Sequence, residues 1–211
     1  MKIHTTEPSK RIYTNSTGTT GKHYRYKPAD HKGELNLHLS LPYVNSFYMK
    51  PQNEAYKVNT GIGGLSIGLD YYHSNHQFIN LEISSVVDAP PLPFCFVGEH
   101  ESMNSGYMSL SNNHKLGRFT VGYGLSYGRN TWKLSYYIIN GLPPPPPPTR
   151  DPITKSHSAF GFIFPTYFQW REHFNIGIIY RPTFYRPTIT NKFSYEHLIS
   201  VDFAWKIRIK K

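Results

Sequence analysis

The sequence predicts an all-β protein, an eight-stranded antiparallel transmembrane up-and-down β-barrel with a disordered or docked N-terminal tail. Three observations support this prediction: apolar and polar residues alternate in eight segments, short and long connections alternate between them, and the polar face is rich in small residues. Successive side chains of a strand point to opposite faces of a sheet, so a period of two separates two environments.

The alternating segments follow one another along most of the chain. They run from Glu34 to Leu41, Leu65 to Tyr72, Ile79 to Val87, Tyr107 to Ser111, Arg118 to Tyr137, Phe160 to Arg171, Phe174 to Arg181 and Tyr195 to Lys210. The fifth must be one long strand, because splitting it at Tyr127–Trp132 would give nine strands and break the even number expected of such a barrel.

Side-chain size indicates which face lies inside. The polar face of the fifth segment carries Gly122, Gly124, Ser126 and Gly128, which do not resemble a solvated surface. The interior of an eight-stranded barrel is just wide enough for side chains to fill, so small residues suit it. The opposite face carries Leu, Ile, Phe, Tyr or Trp in every segment, and this volume suits lipid contact.

Connection lengths indicate the orientation of the barrel. The predicted short joints are Tyr72–Gln77, Asn112–Arg118 and Arg171–His173, and the predicted long joints are Val44–Thr60, Asp88–Asn104, Ile139–Ser156 and Arg181–Ser194. Outer-membrane barrels have short periplasmic turns and longer extracellular loops. We therefore expect periplasmic N- and C-termini.

The chain carries a formal net charge of +10, and half of it lies in residues 1–32, which hold seven Lys or Arg and two acidic residues. This stretch is polar and has no apolar periodicity, so residues 1–32 are predicted to form a basic tail and residues 33–211 the barrel. In this topology the tail would meet periplasmic lipid head groups or the acidic surface of a partner, or remain a solvated arm without a specific partner; binding to nucleic acid is not expected. Residues 1–20 contain no apolar segment of a secretory signal, which weighs against the membrane interpretation.

From Gly33 to Lys211 the chain resembles the small outer-membrane β-barrel proteins of Gram-negative bacteria. The stretches GRFTVGYGLSYGRNTWKLSYY, FGFIFPTYFQWREHFNIGIIYRP and HLISVDFAWKIRIKK are similar to barrels of the Bacteroidota in particular. The resemblance implies a place in the outer membrane, in contact with outer-membrane lipid and lipopolysaccharide.

Several ionisable residues point to the polar face and allow two interpretations. His38, Ser40, Glu82 and Asp202 are candidates for a Ser–His–carboxylate set, which needs hydrogen-bond contact between its members. The alternative is a lumen filled by ion pairs, because buried charges require partners of opposite sign. The residues predicted to form these lumen ion pairs are Asp70, Glu82, Asp202, Arg118, Arg171, Arg181 and Lys206. No cofactor or metal site is expected, and the turn histidines His73, His76, His114 and His173 are interpreted as polar turn residues.

Six consecutive prolines, Pro143, Pro144, Pro145, Pro146, Pro147 and Pro148, predict a stiff rod in the third external loop. Polyproline II rises about 3.1 Å per residue, so the rod would be roughly 19 Å long. It is either a candidate contact for a partner or a spacer that limits the motion of the loop. The favoured function is a non-enzymatic barrel, structural or an accessory subunit of a larger outer-membrane complex with another outer-membrane protein. The alternatives are a barrel enzyme acting on lipid or lipid A, and a soluble basic β-barrel that binds ligands.

Overall fold

The computed structural model describes residues 31–90, 98–137, 147–148, 150–189 and 192–210, and these form a closed barrel of eight antiparallel strands. The strands are β1 Leu35–Met49, β2 Lys57–Tyr72, β3 Gln77–Ala89, β4 Gly98–Leu116, β5 Phe119–Tyr137, β6 Ile153–Gln169, β7 Phe174–Tyr185 and β8 Phe193–Lys210. Each strand pairs with the next in sequence, and β8 closes the barrel on β1. The predicted all-β up-and-down barrel is confirmed.

No helix in the described part of the chain is long and apolar enough to cross a membrane.

The strands are longer than predicted at the barrel end opposite the termini. Strands β4 and β5 pair along their whole length, from Leu116 opposite Phe119 to Gly98 opposite Tyr137. The single fifth strand is therefore confirmed, whereas the predicted long joints are partly strand. Burial still alternates in these extensions, but the pattern is reversed there, because apolar residues such as Trp132 and Leu134 point inward and Lys133 points outward.

Burial alternates along the strands as the sequence predicts. In β2, Leu65 is 67% exposed and Ile67 is 53% exposed. Ser66, which lies between them, and Asp70, farther along the strand, are both buried. The large apolar side chains thus cover the outside of the barrel, and the small polar ones point into it.

Two interior glycines allow neighbouring strands to approach closely. A Cβ atom at Gly124 would overlap the backbone carbonyl oxygen of Leu110, and one at Gly161 would overlap that of Pro182. Glycine in a strand commonly marks such an approach. These positions therefore help to set the small radius of the barrel.

The interior also holds a cluster of apolar side chains that the sequence analysis did not predict. Many of its members lie in the strand extensions, where Met103 of β4 pairs with Trp132 of β5. The interior of the extensions is therefore packed like the core of a soluble protein. The cluster consists of Phe47, Met49, Val86, Met103, Tyr107, Trp132, Leu134, Ile163, Tyr167, Ile179, Leu198 and Ala204.

Candidate functional site in the barrel interior

The lower part of the lumen, near the short turns, contains a charged network centred on Asp70. The Lys206 ammonium lies 2.6 Å from Asp70 Oδ2, and the Asn80 amide donates to Asp70 Oδ1 at 2.7 Å. His38 lies beside them because β1 pairs with both β2 and β8, with Gly68 on one side and Lys206 on the other. Its ring nitrogens lie 3.7 Å from Asp70 and 3.9 Å from Glu82.

The middle of the lumen is crossed by hydrogen bonds between facing strands. The Tyr167 hydroxyl donates to Asp202 Oδ2 at 2.7 Å, and Ser66 donates to Ser84 at 2.6 Å. Asp202 therefore has a phenol as its partner where the sequence analysis expected an ion pair with a cation.

The upper lumen contains a second network, centred on Glu196. This buried carboxylate accepts hydrogen bonds from the Arg186 guanidinium at 3.2 Å and the Asn130 amide at 2.9 Å. The His157 ring lies 2.8 Å from it, and the backbone N–H of Lys50 donates to it at 2.9 Å. Glu196 lies in the last predicted strand, but its partners were not predicted, because they come from strand extensions and loops.

Arg181 is a fully buried cation without a carboxylate partner among the described residues. Its guanidinium lies 3.9 Å from the centre of the Tyr107 ring and donates to the hydroxyl of Ser105. A second donation reaches Asn130 Oδ1 at 3.5 Å. Arg181 is thus in the lumen as predicted, but an aromatic face and neutral acceptors replace the expected ion pair.

The predicted lumen position is wrong for Arg118 and Arg171. Arg118 lies in the two-residue turn between β4 and β5, and Arg171 lies in the turn between β6 and β7. Both are exposed. The alternation of faces ends with the last paired residue of a strand, so it does not extend to these turn positions.

The catalytic candidates are close together but do not form a Ser–His pair. Within the described part of the chain, Ser40 Oγ and both His38 ring nitrogens lack a hydrogen-bond partner. The space enclosed beside His38, Glu82 and Tyr167 has a volume of about 10 Å³, which is close to that of a single water molecule and far too small for a lipid.

No group of three or more His, Cys, Asp or Glu among the described residues is arranged to hold a metal ion. Of the turn histidines, His114 hydrogen-bonds Gln77 at 3.2 Å and stacks on Tyr123. The predicted basic tail, apart from His31 and Lys32, and the proline segment, apart from the exposed Pro147 and Pro148, lie outside the described residues.

Outside the lumen, the loop between β1 and β2 is tied to β6 by ion pairs. The Glu54 carboxylate lies 2.7 Å from the Lys155 ammonium and 3.1 Å from the Arg150 guanidinium. These two hydrogen-bonded cations hold the pKa of Glu54 below its usual value.

No family model matches the chain, and no curated protein matches it either. Solved structures do match. Ail, the attachment invasion locus protein of Yersinia pestis, aligns with a TM-score of 0.53 at 10% identity over 84% of this chain and 99% of that one. Neisserial surface protein A aligns with a TM-score of 0.46 at 8% identity over 83% and 97% of the two chains. At such identity the similarity to Ail shows the fold alone, which is that of the small eight-stranded outer-membrane β-barrels.

Proposed function

We propose that the protein is a non-enzymatic β-barrel of the bacterial outer membrane, a structural protein or an accessory subunit of a larger complex. The apolar outer surface supports the membrane location. On β5 it runs from Phe119 to Tyr127, and these eight residue steps rise roughly 20 Å along the barrel axis at about 3.3 Å per residue and a tilt of about 40°. With the side chains at both ends, this height suits the apolar band of an outer-membrane barrel, about 25 Å.

Aromatic pairs mark both edges of this apolar surface. At the turn end, Phe174 packs on Trp205 with ring centres 5.1 Å apart. At the other end, Tyr127 packs on Phe160 at 4.5 Å, and Tyr48 stacks on His197 at 5.0 Å. Aromatic girdles at both interfaces are typical of barrels in membranes. The two edges are therefore the levels at which we expect the lipid head groups.

The observation that carries the non-enzymatic assignment is the filled interior. Glu196 and Asp70 are each surrounded by donors from several strands, and the enclosed space beside the catalytic candidates holds about 10 Å³. A lumen packed with side chains offers neither a channel nor room for a lipid chain. The large exposed Leu, Ile and Phe side chains argue against the soluble alternative, because a continuous apolar patch of this size is rare on soluble monomers.

A filled lumen leaves the outer wall, the loops and the tail as the surfaces through which the barrel acts. The partners proposed are outer-membrane lipid and lipopolysaccharide, and another outer-membrane protein. With the short turns and both termini on the periplasmic side, the strand extensions and the proline segment would face the outside. The resemblance to barrels of the Bacteroidota stays a prediction.

The test combines gel migration, fractionation and conductance. We expect the protein in the outer-membrane fraction, with different migration of unheated and boiled samples, because a closed barrel without open edges resists detergent until it is heated. The purified protein should show no steady conductance in planar bilayers. Full release into carbonate buffer would refute the membrane location, and steady conductance would refute the filled lumen.

Cross-linking in intact cells from residues 1–32 and from Pro143–Pro148 tests the complex, and recovery of monomer alone from both would leave a solitary structural barrel.

A further inference from the structure

We propose that the outer wall formed by β4, β5 and β6 is a binding surface for a lipid that carries more than one phosphate. Arg129 and Lys133 would bind the phosphates, and an apolar groove below them would hold an acyl chain. We name this surface the β5 wall and define it as the outward-facing residues of these three strands. The inference rests on the proposed membrane location and adds a lipid class and a site to it.

The two cations stand on the same outward face of β5, four residues apart, and both are exposed. Arg129 pairs with Gly106 and Ser158 on the neighbouring strands, and Lys133 pairs with Ser102 and Thr154. The neighbours are thus glycine or hydroxyl residues. An ammonium and a guanidinium surrounded in this way have hydroxyl donors beside them to share a phosphate oxygen.

The two carboxylates of β4 that lie closest to Arg129 and Lys133 along the β4–β5 pairing, Glu99 and Glu101, have other partners. Glu101 lies 2.5 Å from the Lys57 ammonium and accepts a hydrogen bond from the Trp132 indole at 3.1 Å. Glu99 accepts from the backbone N–H of Arg150 at 3.3 Å. Among the described residues, neither Arg129 nor Lys133 forms an ion pair with a carboxylate, so both charges are available to an anion from outside the chain.

The height of Arg129 on the wall matches the expected level of the head groups. Phe119, Val121, Tyr123, Leu125 and Tyr127 precede it on the same face. Arg129 is the first charged residue above this apolar run. With the apolar run embedded in the membrane, its guanidinium reaches the phosphate layer of the leaflet farther from the termini.

A groove of about 550 Å³ lies in the same wall, below the cations. It runs across β5 between the outward side chains of β4 and β6, and Ile79 of the neighbouring β3 also lines it. Leu125 at its edge is four residues from Arg129, about 13 Å along the strand, which is within the length of one acyl chain. Its lining is almost entirely apolar: Ile79, Leu110, Ser111, Asn112, Tyr123, Gly124, Leu125, Phe162 and Phe164.

The charges favour a lipid over a second copy of the barrel. Two copies in one membrane that met through this wall would place Arg129 at the same height as its counterpart, and like charges in direct opposition destabilise an interface. The upper edge of the opposite wall is aromatic. There Tyr48, Tyr195 and His197 pack together, with Tyr48 5.0 Å and Tyr195 5.5 Å from His197.

The experiment measures lipid binding to the purified barrel by native mass spectrometry in mild detergent, with diphosphorylated lipid A as the probe and phosphatidylglycerol as the comparison. The head-group variants are R129Q and K133Q, and L110W fills the groove. The matched controls are R118Q, an exposed cation in a turn at the other end, and I67W, an outward apolar residue of β2.

We expect each head-group variant to bind lipid A about fivefold more weakly, the effect of one cation near an anionic membrane surface. L110W should also weaken binding, whereas R118Q and I67W should bind as the unmodified barrel does. Heat-dependent gel migration of every variant shows that the barrel is folded. Equal lipid A binding by all variants would overturn the proposal, and so would a preference for phosphatidylglycerol. Because these results come from folded protein, they differ from a failure of the membrane location, which fractionation reveals.

Discussion

Replacing Lys206 by Met should strongly destabilise the barrel, because it removes the cation from a buried carboxylate. Asp70 is fully buried, and its Oδ2 atom lies 2.6 Å from the Lys206 ammonium. The Lys206 ammonium also lies 3.9 Å from the centre of the Phe78 ring. Methionine retains most of the length that packs in the lumen, so the variant isolates the loss of the charge.

The expected cost is about 3–5 kcal/mol, the usual effect of breaking a buried ion pair from one side. Asp70→Asn should cost less, about 1–3 kcal/mol, because the Lys206 side chain is 15% exposed and can turn its ammonium toward the lumen mouth. The double variant removes both charges. Its cost should fall below the sum of the single costs by about 1–3 kcal/mol.

The assay is urea unfolding in detergent, with the folded fraction read from the heat-sensitive gel band. Gly106→Ala serves as the matched control, since a Cβ there meets nothing closer than the Ser84 carbonyl oxygen at 4.0 Å. Single costs below about 1 kcal/mol, or costs that add without coupling, would refute the idea that this pair stabilises the lumen.

Three further predictions concern other parts of the barrel. Leu125→Arg should cost about 1–3 kcal/mol in urea unfolding in lipid, because it places a cation between the middle of the apolar band and its upper edge at Tyr127; no loss would reverse the inside–outside assignment. Gly161→Ala should lower the folded yield where Gly106→Ala does not, since only the former overlaps a neighbouring backbone. Glu54→Gln should lower the melting temperature at neutral pH but not in strong acid: the lowered pKa of Glu54, held by Lys155, gives stability that is present above the ordinary pKa and lost as pH falls through the folded one.

The barrel could be predicted from the sequence because the physical demands on its two faces are opposite. An apolar outer wall and a narrow polar lumen separate large apolar from small polar residues at every second position, as in Leu65 to Tyr72. This pattern also predicted that β5 is one strand. It could not predict where strands end, because in the extensions apolar residues such as Trp132 point inward, so the outward-apolar pattern does not continue.

The partners inside the lumen could not be predicted, because they depend on register between strands. Arg181 was expected to meet a carboxylate, but the pairing of the strands brings it to Tyr107, which is far away in the chain. His38 was a candidate for a Ser–His–carboxylate set with Ser40, but it lies opposite Lys206, and its ring nitrogens lie 3.7 Å from Asp70 and 3.9 Å from Glu82. A shift by two residues preserves every face and changes every partner, so face assignment alone leaves the contacts undetermined.

The inverted arrangement of this barrel, with apolar side chains outside and polar ones inside, changes which residues are informative about function. In a soluble protein, a buried His38 beside Asp70 and Glu82 would be a strong candidate for catalysis. In this barrel the polar face is inside, so charged residues are expected there, where they fill the lumen and pair with partners from other strands. The informative residue is the one that breaks the pattern on the outer face. Arg129 follows the apolar run of β5 on the same outward face but is charged. No carboxylate among the described residues forms an ion pair with it. The lipid phosphate proposed above would account for this position at the membrane surface.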